Sequence, residues 1–259
     1  MIKLVACDID GTLLPRGASA IAPGIFGEIR RLRRLGVAFC PASGRQYTSL
    51  RRLFAPVADK LTYMCENGAV IFGPGSPGRA RAKVEMERAA AVRLAEEIAA
   101  APGCEVQISG EDRSYLCPKG GEIVTIMRDI VGNNVTIVPS PADVPEPIVK
   151  VAAYNPAGAD VLRDMFDARW RGVFRTAVSG DCWFDFNSTD KGGGLRLLCE
   201  ALGVDIADTL AVGDSWNDAP MLDAAGAPYI MTTASPVLRR KYPNSCANVE
   251  DMRAARGRE

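Results

Sequence analysis

The chain opens with Lys3-Leu-Val-Ala-Cys-Asp8-Ile-Asp10-Gly11-Thr12-Leu13, in which two carboxylates one residue apart end an apolar run. A short apolar run that is followed by a glycine turn signal predicts a buried strand. Carboxylates are rarely buried unless they are paired or bind a metal. Because ligands bind at the carboxyl ends of the strands in open α/β sheets, Asp8 and Asp10 either cap a turn or mark a site at that strand end.

A second acidic cluster, near the other end of the chain, favours a site over a turn. The segment is Leu210-Ala-Val-Gly213-Asp214-Ser-Trp-Asn217-Asp218, and it also places a glycine and carboxylates after an apolar run. Mg²⁺ prefers carboxylate oxygens and keeps waters and phosphate oxygens as its other ligands. The two segments together predict a Mg²⁺ site made from strand ends, with four candidate carboxylates: Asp8, Asp10, Asp214 and Asp218.

The composition bounds the class of protein. The 259 residues include 31 Lys+Arg and 31 Asp+Glu, so no net charge favours binding to nucleic acid or to an anionic membrane. No apolar run has membrane-spanning length, and the first residues predict a strand rather than a signal peptide. Eight scattered cysteines without a C-x-x-C pair indicate reduced thiols, and hence a cytoplasmic protein.

The chain contains no histidine. Hydrolysis by a Ser-His-Asp triad, catalysis by a Cys-His pair and histidine-ligated zinc are therefore excluded. Acid–base chemistry must come from carboxylates, lysine, tyrosine or cysteine.

Apolar periodicity divides the chain into two kinds of segment. Strands and helices alternate over residues 1–83 and again over 187–259, which predicts βαβ units and a parallel sheet. Residues 84–186 instead predict short strands mixed with helices, and their number suits a small domain. We therefore expect an α/β fold, with a Rossmann-like parallel-sheet core (1–83 and 187–259), an inserted α+β cap domain (84–186) and a charged tail after Met252.

The segment Gly73-Pro-Gly75-Ser-Pro-Gly78 matches the G-x-G-x-x-G pattern of dinucleotide-binding turns. Its two prolines remove backbone donors that a pyrophosphate would need, and no helix pattern begins at the third glycine. A hairpin turn between strands at Ala69–Phe72 and Arg79–Val84 explains the same residues better.

Four segments fall at predicted strand ends or helix starts of the core: Asp8-x-Asp10-Gly-Thr, Ser43-Gly44-Arg45, Asp190-Lys191-Gly192 and Gly213-Asp214-Ser-x-Asn217-Asp218. In residues and in order they resemble the motifs of the haloacid dehalogenase-like phosphohydrolases. Glu66-Asn67-Gly68, with the α+β insertion between the second and third segments, resembles the Cof-type branch with a type IIB cap. The resemblance covers essentially the whole chain, and its first and fourth motifs are the specific ones.

The resemblance implies roles for the carboxylates. Asp8 matches the nucleophile that forms an aspartyl-phosphate, and Asp10 matches the residue that protonates the leaving oxygen and then activates water. Mg²⁺ would be held by Asp8, by the backbone carbonyl of Asp10 and by Asp214, and Asp218 would support these ligands.

The resemblance also implies the residues that bind phosphate and substrate. Ser43 would donate its hydroxyl and Lys191 would supply positive charge beside the nucleophile, although helix capping and surface exposure are the commoner roles of these residue types. Arg45 would reach the substrate or only solvate its helix. The implied substrate contacts are Gly11, Gly44, Arg45 and Asn217.

Substrate choice is expected to lie in the cap, where four side chains could face the cleft: Tyr115, Lys119, Trp183 and Phe184. An aromatic face on a strand is more often cap core than ligand contact. Asn67 and Asn187 either line the cleft or form turns. Two departures from the family pattern concern the rim of the site: a bulky Trp216 inside the fourth motif, and Thr232 and Thr233 where relatives often carry glycine or asparagine.

The sequence thus predicts a Mg²⁺-dependent phosphatase that acts on a small phosphorylated metabolite, with a sugar phosphate as the favoured class. A sugar phosphomutase with the same core remains an alternative, because it would use the same four motifs but keep its phosphoenzyme from water. A phospho-ligand binding module without catalysis is a third possibility, which the intact Asp8/Asp10 pair disfavours. The sequence does not determine the oligomeric state.

Overall fold

The computed structural model describes residues 1–15 and 17–249. The first third of the chain forms these elements: β1 (Leu4–Cys7), α1 (Pro23–Arg34), β2 (Ala38–Pro41), α2 (Tyr47–Leu53), β3 (Tyr63–Cys65), β4 (Val70–Phe72) and β5 (Ala80–Lys83). The middle forms α3 (Arg88–Ala100), β6 (Glu105–Ser109), β7 (Ser114–Leu116), α4 (Glu122–Thr125), β8 (Val135–Ile137), β9 (Lys150–Tyr154), α5 (Ala159–Trp170), β10 (Arg175–Val178) and β11 (Trp183–Asn187). The last part forms α6 (Lys191–Leu202), β12 (Thr209–Gly213), α7 (Ala219–Ala224), β13 (Ala227–Met231), α8 (Pro236–Lys241) and β14 (Ser245–Cys246).

The core is a five-stranded parallel sheet in the order β14-β13-β12-β1-β2. Strand β1 lies between β2 and β12 and is buried on both faces, as its unbroken apolar run predicts. Successive side chains point to opposite faces, so Leu4 packs in a cluster with Leu195 of α6 while Val5 packs in a cluster with Ile29 of α1. Both faces are therefore covered by helices, and only the carboxyl edge of the sheet is left for a site.

The inserted segment forms a six-stranded sheet in the order β10-β11-β9-β6-β7-β8. All neighbouring strands in it are antiparallel except β7 and β8. Helices α3 and α5 cover one face through a buried cluster that includes Leu94, Ile98, Leu162 and Phe166. The parallel core with an inserted antiparallel cap confirms the predicted fold class. The domain division at 83/84 and 186/187 stays a prediction; β11, in the cap sheet, ends at Asn187.

A third sheet contains β3, β4 and β5, all antiparallel. Residues 73–79 connect β4 to β5, which confirms the hairpin and removes the dinucleotide interpretation of the G-x-G-x-x-G match. In the inserted segment, α4 continues as a wider π turn over Ile126–Ile130.

The sequence analysis did not predict α8 or β14, which are only six and two residues long. Helix α8 does carry a start signal, because Pro236 is its first residue and the Ser235 hydroxyl accepts from the Leu238 amide (3.3 Å).

The charged tail after Met252 lies outside the described residues. No helix in the described ranges is both long enough and apolar enough to span a bilayer. All eight cysteines are free thiols, and the cytoplasmic location stays a prediction.

Helix α6 lies directly against the turn at residues 66–68. Gly68 has a φ of +94°, in the left-handed region that favours glycine. A Cβ on Gly194 would collide with the Cα of Gly68 and lie 3.0 Å from the sulfur of Met64. This glycine–glycine contact lets α6 approach closely, and α6 begins with Lys191.

We expect Gly194→Ala to lower the free energy of unfolding by roughly 1–3 kcal/mol, because overpacking forces backbone shifts. The matched control is Gly27→Ala in α1, where an added Cβ meets nothing within 4 Å; it should raise stability by about 0.5–1 kcal/mol. Urea unfolding measures both values. Equal effects of the two substitutions would show that the contact between α6 and the turn is not tight.

Candidate active site

The four motifs meet at the carboxyl edge of the core sheet, below the cap. Strands β1, β2 and β12 lead into Asp8, Ser43 and Asp214, and α6 begins with Lys191. A cavity of about 670 Å³ lies between this edge and the cap, lined from both sides. Its lining includes all predicted site residues except Lys191 and Asp218, which lie beneath it.

Asp8 is a buried carboxylate at the end of β1, with its backbone amide bonded to the Val212 carbonyl (2.9 Å). Its Oδ1 accepts from Lys191 Nζ at 2.6 Å. Its Oδ2 is buried and has no hydrogen-bond partner. Burial, reinforced by the nearby Asp218 carboxylate, raises the pKa of Asp8 to about 8 against the opposing effect of Lys191.

Lys191 lies between two carboxylates at the start of α6. Its Nζ is 2.6 Å from Asp8 Oδ1 and 2.6 Å from Asp218 Oδ1, and its side chain is buried. Burial alone would lower the pKa of Lys191, but the Asp218 and Asp8 carboxylates outweigh it and raise the pKa. The position of Lys191 is fixed by Asp190, whose side chain caps α6 by accepting from the amides of Gly192 and Gly193. Lys191 is therefore not a surface lysine.

Asp218 and Asp214 complete an acidic group with Asp8. The second oxygen of Asp218 accepts from the Asp214 and Ser215 amides, each at 3.1 Å, which closes the turn after β12. One carboxylate oxygen from each of Asp8, Asp214 and Asp218 lies within 4.8 Å of the others. The carboxylate of Asp10, one of the four candidates from the sequence, is outside this group. The resemblance gave the metal only the backbone carbonyl of Asp10.

Asp10 and Arg45 form a bidentate pair across the cavity. Arg45 Nε donates to Asp10 Oδ2 at 2.8 Å, and Arg45 Nη2 donates to Oδ1 at 2.6 Å. Both residues line the cavity. Arg45 therefore reaches into the site instead of only solvating its helix.

Gly11 follows this pair in the first motif and has a φ of +96°. A Cβ there would collide with Asp214 Oδ2, so only glycine fits beside that carboxylate. Its amide donates to the Leu14 carbonyl at 2.9 Å. Of the two glycines implied as substrate contacts, Gly11 thus already has its amide bonded within the turn.

In the turn after β2, unlike the turn at Gly11, the glycine amide is not bonded within the turn. The Gly44 amide has no partner within residues 1–15 and 17–249. Ser43 is buried, and its Oγ accepts from the Arg45 amide at 3.1 Å. The residue before α2 is Gln46, so Ser43 is not the cap of that helix. Asn217, in the fourth motif, lines the cavity and accepts from Ser215 Oγ at 2.9 Å.

The cap residues named from the sequence divide into two groups. Trp183 lines the cavity, and so does Trp216 of the core, which is 60% exposed. Phe184 is buried in the cap core, the Tyr115 hydroxyl donates to Glu146, and Lys119 donates to two cap carbonyls. Asn67 and Asn187 do not line the cavity; they form hydrogen bonds to each other and to neighbouring groups. Thr232 and Thr233 are exposed and also lie outside the lining.

Sequence reasoning missed several residues of the site. Thr12, in the first motif, has a buried Oγ1 with no hydrogen-bond partner. Six polar cap side chains also line the cavity: Gln107, Asn133, Lys150, Ser179, Asp181 and Asp185. Lys150 could have been found from the sequence, because it is the only charged residue in the apolar run Ile148–Ala153.

Comparisons with known proteins agree on one family. A family model described as haloacid dehalogenase-like hydrolase matches residues 5–252. Over 258 residues the chain is 24% identical to the Escherichia coli protein named 5-amino-6-(5-phospho-D-ribitylamino)uracil phosphatase YbjI, covering 97% of this chain and 93% of that protein. These matches confirm the resemblance drawn from the motifs.

Solved structures show the same fold. A Eubacterium rectale protein has a TM-score of 0.79 at 27% identity, covering 95% of this chain and 94% of that one. The subclass IIB sugar phosphatase BT4131 has a TM-score of 0.80 at 17% identity, covering 98% of both chains. The second likeness concerns the fold alone.

We expect Lys191→Met to lower the free energy of unfolding by about 3–5 kcal/mol at pH 8 without added metal, because the buried carboxyl groups of Asp8 and Asp218 then lose the cation that both contact. Adding Asp218→Asn to this variant should restore part of the loss. The control Lys241→Met breaks an exposed pair with Asp223, also 2.6 Å long, and should change stability by about 0–1 kcal/mol. Equal losses in the two lysine variants, measured by urea unfolding, would contradict this account of the buried triad.

Proposed function

The chain belongs to the haloacid dehalogenase-like hydrolase family, and on this premise we propose that it is a Mg²⁺-dependent phosphatase of small phosphorylated metabolites. The observation that carries the proposal is the carboxylate of Asp8 at the edge of the cavity. One of its oxygens is held by Lys191, and the other is buried without a partner. A buried carboxylate oxygen is destabilising unless something binds it, so its position indicates a cation or a reacting group.

The donor set fits Mg²⁺. The unpartnered Oδ2 of Asp8 and the carboxylate of Asp214 are hard oxygen ligands on one side of the cavity, and the Asp10 carbonyl is the third expected ligand. Asp218 supports them from behind, because both its oxygens already accept hydrogen bonds. Bound Mg²⁺ would neutralise charge between the nucleophile and the phosphate.

In the first step Asp8 attacks phosphorus and forms an aspartyl-phosphate, while Asp10 gives its proton to the leaving oxygen. In the second step Asp10 takes a proton from water, which attacks phosphorus and releases phosphate and free Asp8. Lys191 favours the ionised form of Asp8 and orients its carboxylate through its 2.6 Å bond. Asp10 must exchange its pairing with Arg45 to act as an acid, and an incoming phosphate competes for that guanidinium.

The phosphate oxygens are bound by the turn after β2. The Gly44 amide is unpartnered, and Ser43 Oγ accepts from the Arg45 amide, which leaves its proton for a phosphate oxygen. Both residues line the cavity beside Asp8. These two donors stabilise charge on the transferring group without any motion of the backbone.

A sugar phosphate or phosphorylated polyol is the favoured substrate class. The cavity of about 670 Å³ suits a small leaving group, and the cap lines it with the neutral amides of Gln107 and Asn133. BT4131 is named a sugar phosphatase, and the name of YbjI specifies a phosphoribityl substrate. We place the protein in the cytoplasm, where such metabolites occur.

The test is phosphate release from a panel of sugar, nucleotide and cofactor phosphates, with Mg²⁺ and after its removal by a chelator. We expect release only with Mg²⁺, and Asp8→Asn should lower kcat more than about 1,000-fold because the nucleophile is lost. The control Asp160→Asn, an exposed aspartate of α5, should leave kcat unchanged.

Other outcomes separate the alternatives. Transfer of phosphate between two positions of one sugar, without stoichiometric release, would indicate a phosphomutase. Tight binding of a panel member without turnover would indicate a binding module. Metal-independent release by Asp8→Asn would contradict the proposed chemistry altogether.

A further inference from the structure

Lys150 is a buried cation of the cap that the proposed reaction does not use. It begins β9, in the middle of the cap sheet, and its side chain is 5% exposed at the wall of the cavity. A buried lysine must be paired, since an isolated ammonium is strongly destabilised away from water. The groups that contact the Lys150 ammonium therefore indicate the role of this residue.

The ammonium of Lys150 bridges the cap and the core. It lies 2.6 Å from Glu66 Oε2 and donates to the Gly44 carbonyl at 2.7 Å, while Asp185 of the cap is 3.9 Å away. Burial alone would lower the pKa of Lys150, but Asp185 and Glu66 outweigh it and keep the ammonium charged. One cap side chain thus holds a backbone carbonyl inside the second motif.

The other carbonyls of that motif are held by the core itself. The Ser43 carbonyl accepts from the Asn67 amide (3.0 Å), and the Arg45 carbonyl accepts from the Glu66 amide (3.1 Å). Glu66 and Asn67 adopt φ values of +51° and +57°, which are uncommon for residues other than glycine and which cluster at functional sites. Only the middle carbonyl, that of Gly44, depends on the cap.

The Gly44–Arg45 peptide connects Lys150 to the phosphate site. A peptide unit is planar, so holding its carbonyl also fixes the direction of its N–H. That N–H, of Arg45, donates to Ser43 Oγ at 3.1 Å. With one lone pair of Ser43 occupied in this way, the hydroxyl proton is directed to another acceptor.

We propose that Lys150 is a positioning residue through which the docked cap orients the Ser43–Gly44–Arg45 turn for the phosphate. This inference rests on the proposed phosphatase function, because it assigns Ser43 and Gly44 to phosphate. When the cap moves away, Lys150 leaves the Gly44 carbonyl, and the turn loses one of its three fixed carbonyls. The phosphate site is therefore complete only with the cap in place.

The simpler explanation is that Lys150 and Glu66 only neutralise each other. The pair variant Glu66→Gln/Lys150→Met separates the two explanations, because it removes both charges of the 2.6 Å pair. Asp185 is then the one carboxylate of this group that stays buried, and it keeps its hydrogen bond from Asn67 Nδ2 (2.7 Å). Glu66→Gln alone keeps the bond from Lys150 to Gly44. The control Lys119→Met removes a cap lysine that also donates to two carbonyls (both 2.7 Å) but does not line the cavity.

The measurements are inorganic phosphate affinity by calorimetry in the presence of Mg²⁺, kcat and KM for the best panel substrate, and thermal unfolding. We expect the pair variant to unfold near the wild-type temperature but to lose affinity for phosphate and on the order of 100-fold in kcat/KM, as misplaced binding groups do. Lys119→Met should keep wild-type values. Glu66→Gln should keep the wild-type phosphate affinity and kcat/KM but unfold at a lower temperature, because Lys150 loses its 2.6 Å carboxylate partner.

Wild-type phosphate affinity and kcat/KM in the pair variant would overturn the proposal. A loss of phosphate affinity in Glu66→Gln alone would also overturn it, and this loss can be measured even if the pair variant does not fold. If the wild type releases no phosphate from any substrate, the proposed function fails, whereas the comparison of phosphate affinities still tests the role of Lys150.

Discussion

The active site depends on one buried ammonium between two carboxylates. Lys191 bonds to Asp8 at the end of β1 and to Asp218 after β12, so it ties together the two strand ends that carry the acidic motifs. None of the three charges is stable alone in this interior, and each makes the others possible. The rest of the site follows from this arrangement, because Asp8 lines the cavity and the triad leaves one of its carboxylate oxygens without a hydrogen-bond partner.

Close contacts of the backbone position most of the other groups of the site. Gly11 lets its turn pass against Asp214, and the Gly68–Gly194 contact brings α6 close enough for its first residue to reach Asp8. The turn after β2 is held by backbone amides of the core and by a single ammonium from the cap. Phosphate chemistry needs positioning and charge neutralisation more than covalent apparatus, and this edge of the sheet provides both.

The sequence predicted what depends on local pattern. Apolar runs ending in Asp8 and Asp214 located the strand ends, and parallel pairing of β1 with β12 brings those ends together. Contacts made at long sequence separation could not be foreseen in this way. Lys150, for example, meets Gly44 across 106 residues of chain. The bond from the Gly11 amide to the Leu14 carbonyl is local, but it depends on the backbone conformation of the turn, which the motif does not show.

Cap side chains were the least predictable part for the same reason. The alternation of a strand shows that Trp183 and Phe184 face opposite ways, but not which face meets the cavity. That depends on how β11 packs against α5, which buries Phe184 and leaves Trp183 on the cavity wall. Short elements such as β14 were missed because two residues carry too little pattern.

The most direct test of the account is mass spectrometry of the Mg²⁺-loaded protein, acid-quenched during turnover of its best phosphate monoester. The account predicts one added phosphoryl group on the peptide that contains Asp8, labile to base and absent from Asp8→Asn. Phosphate release without any phosphorylated Asp8, or a phosphoryl group on another residue, would contradict it.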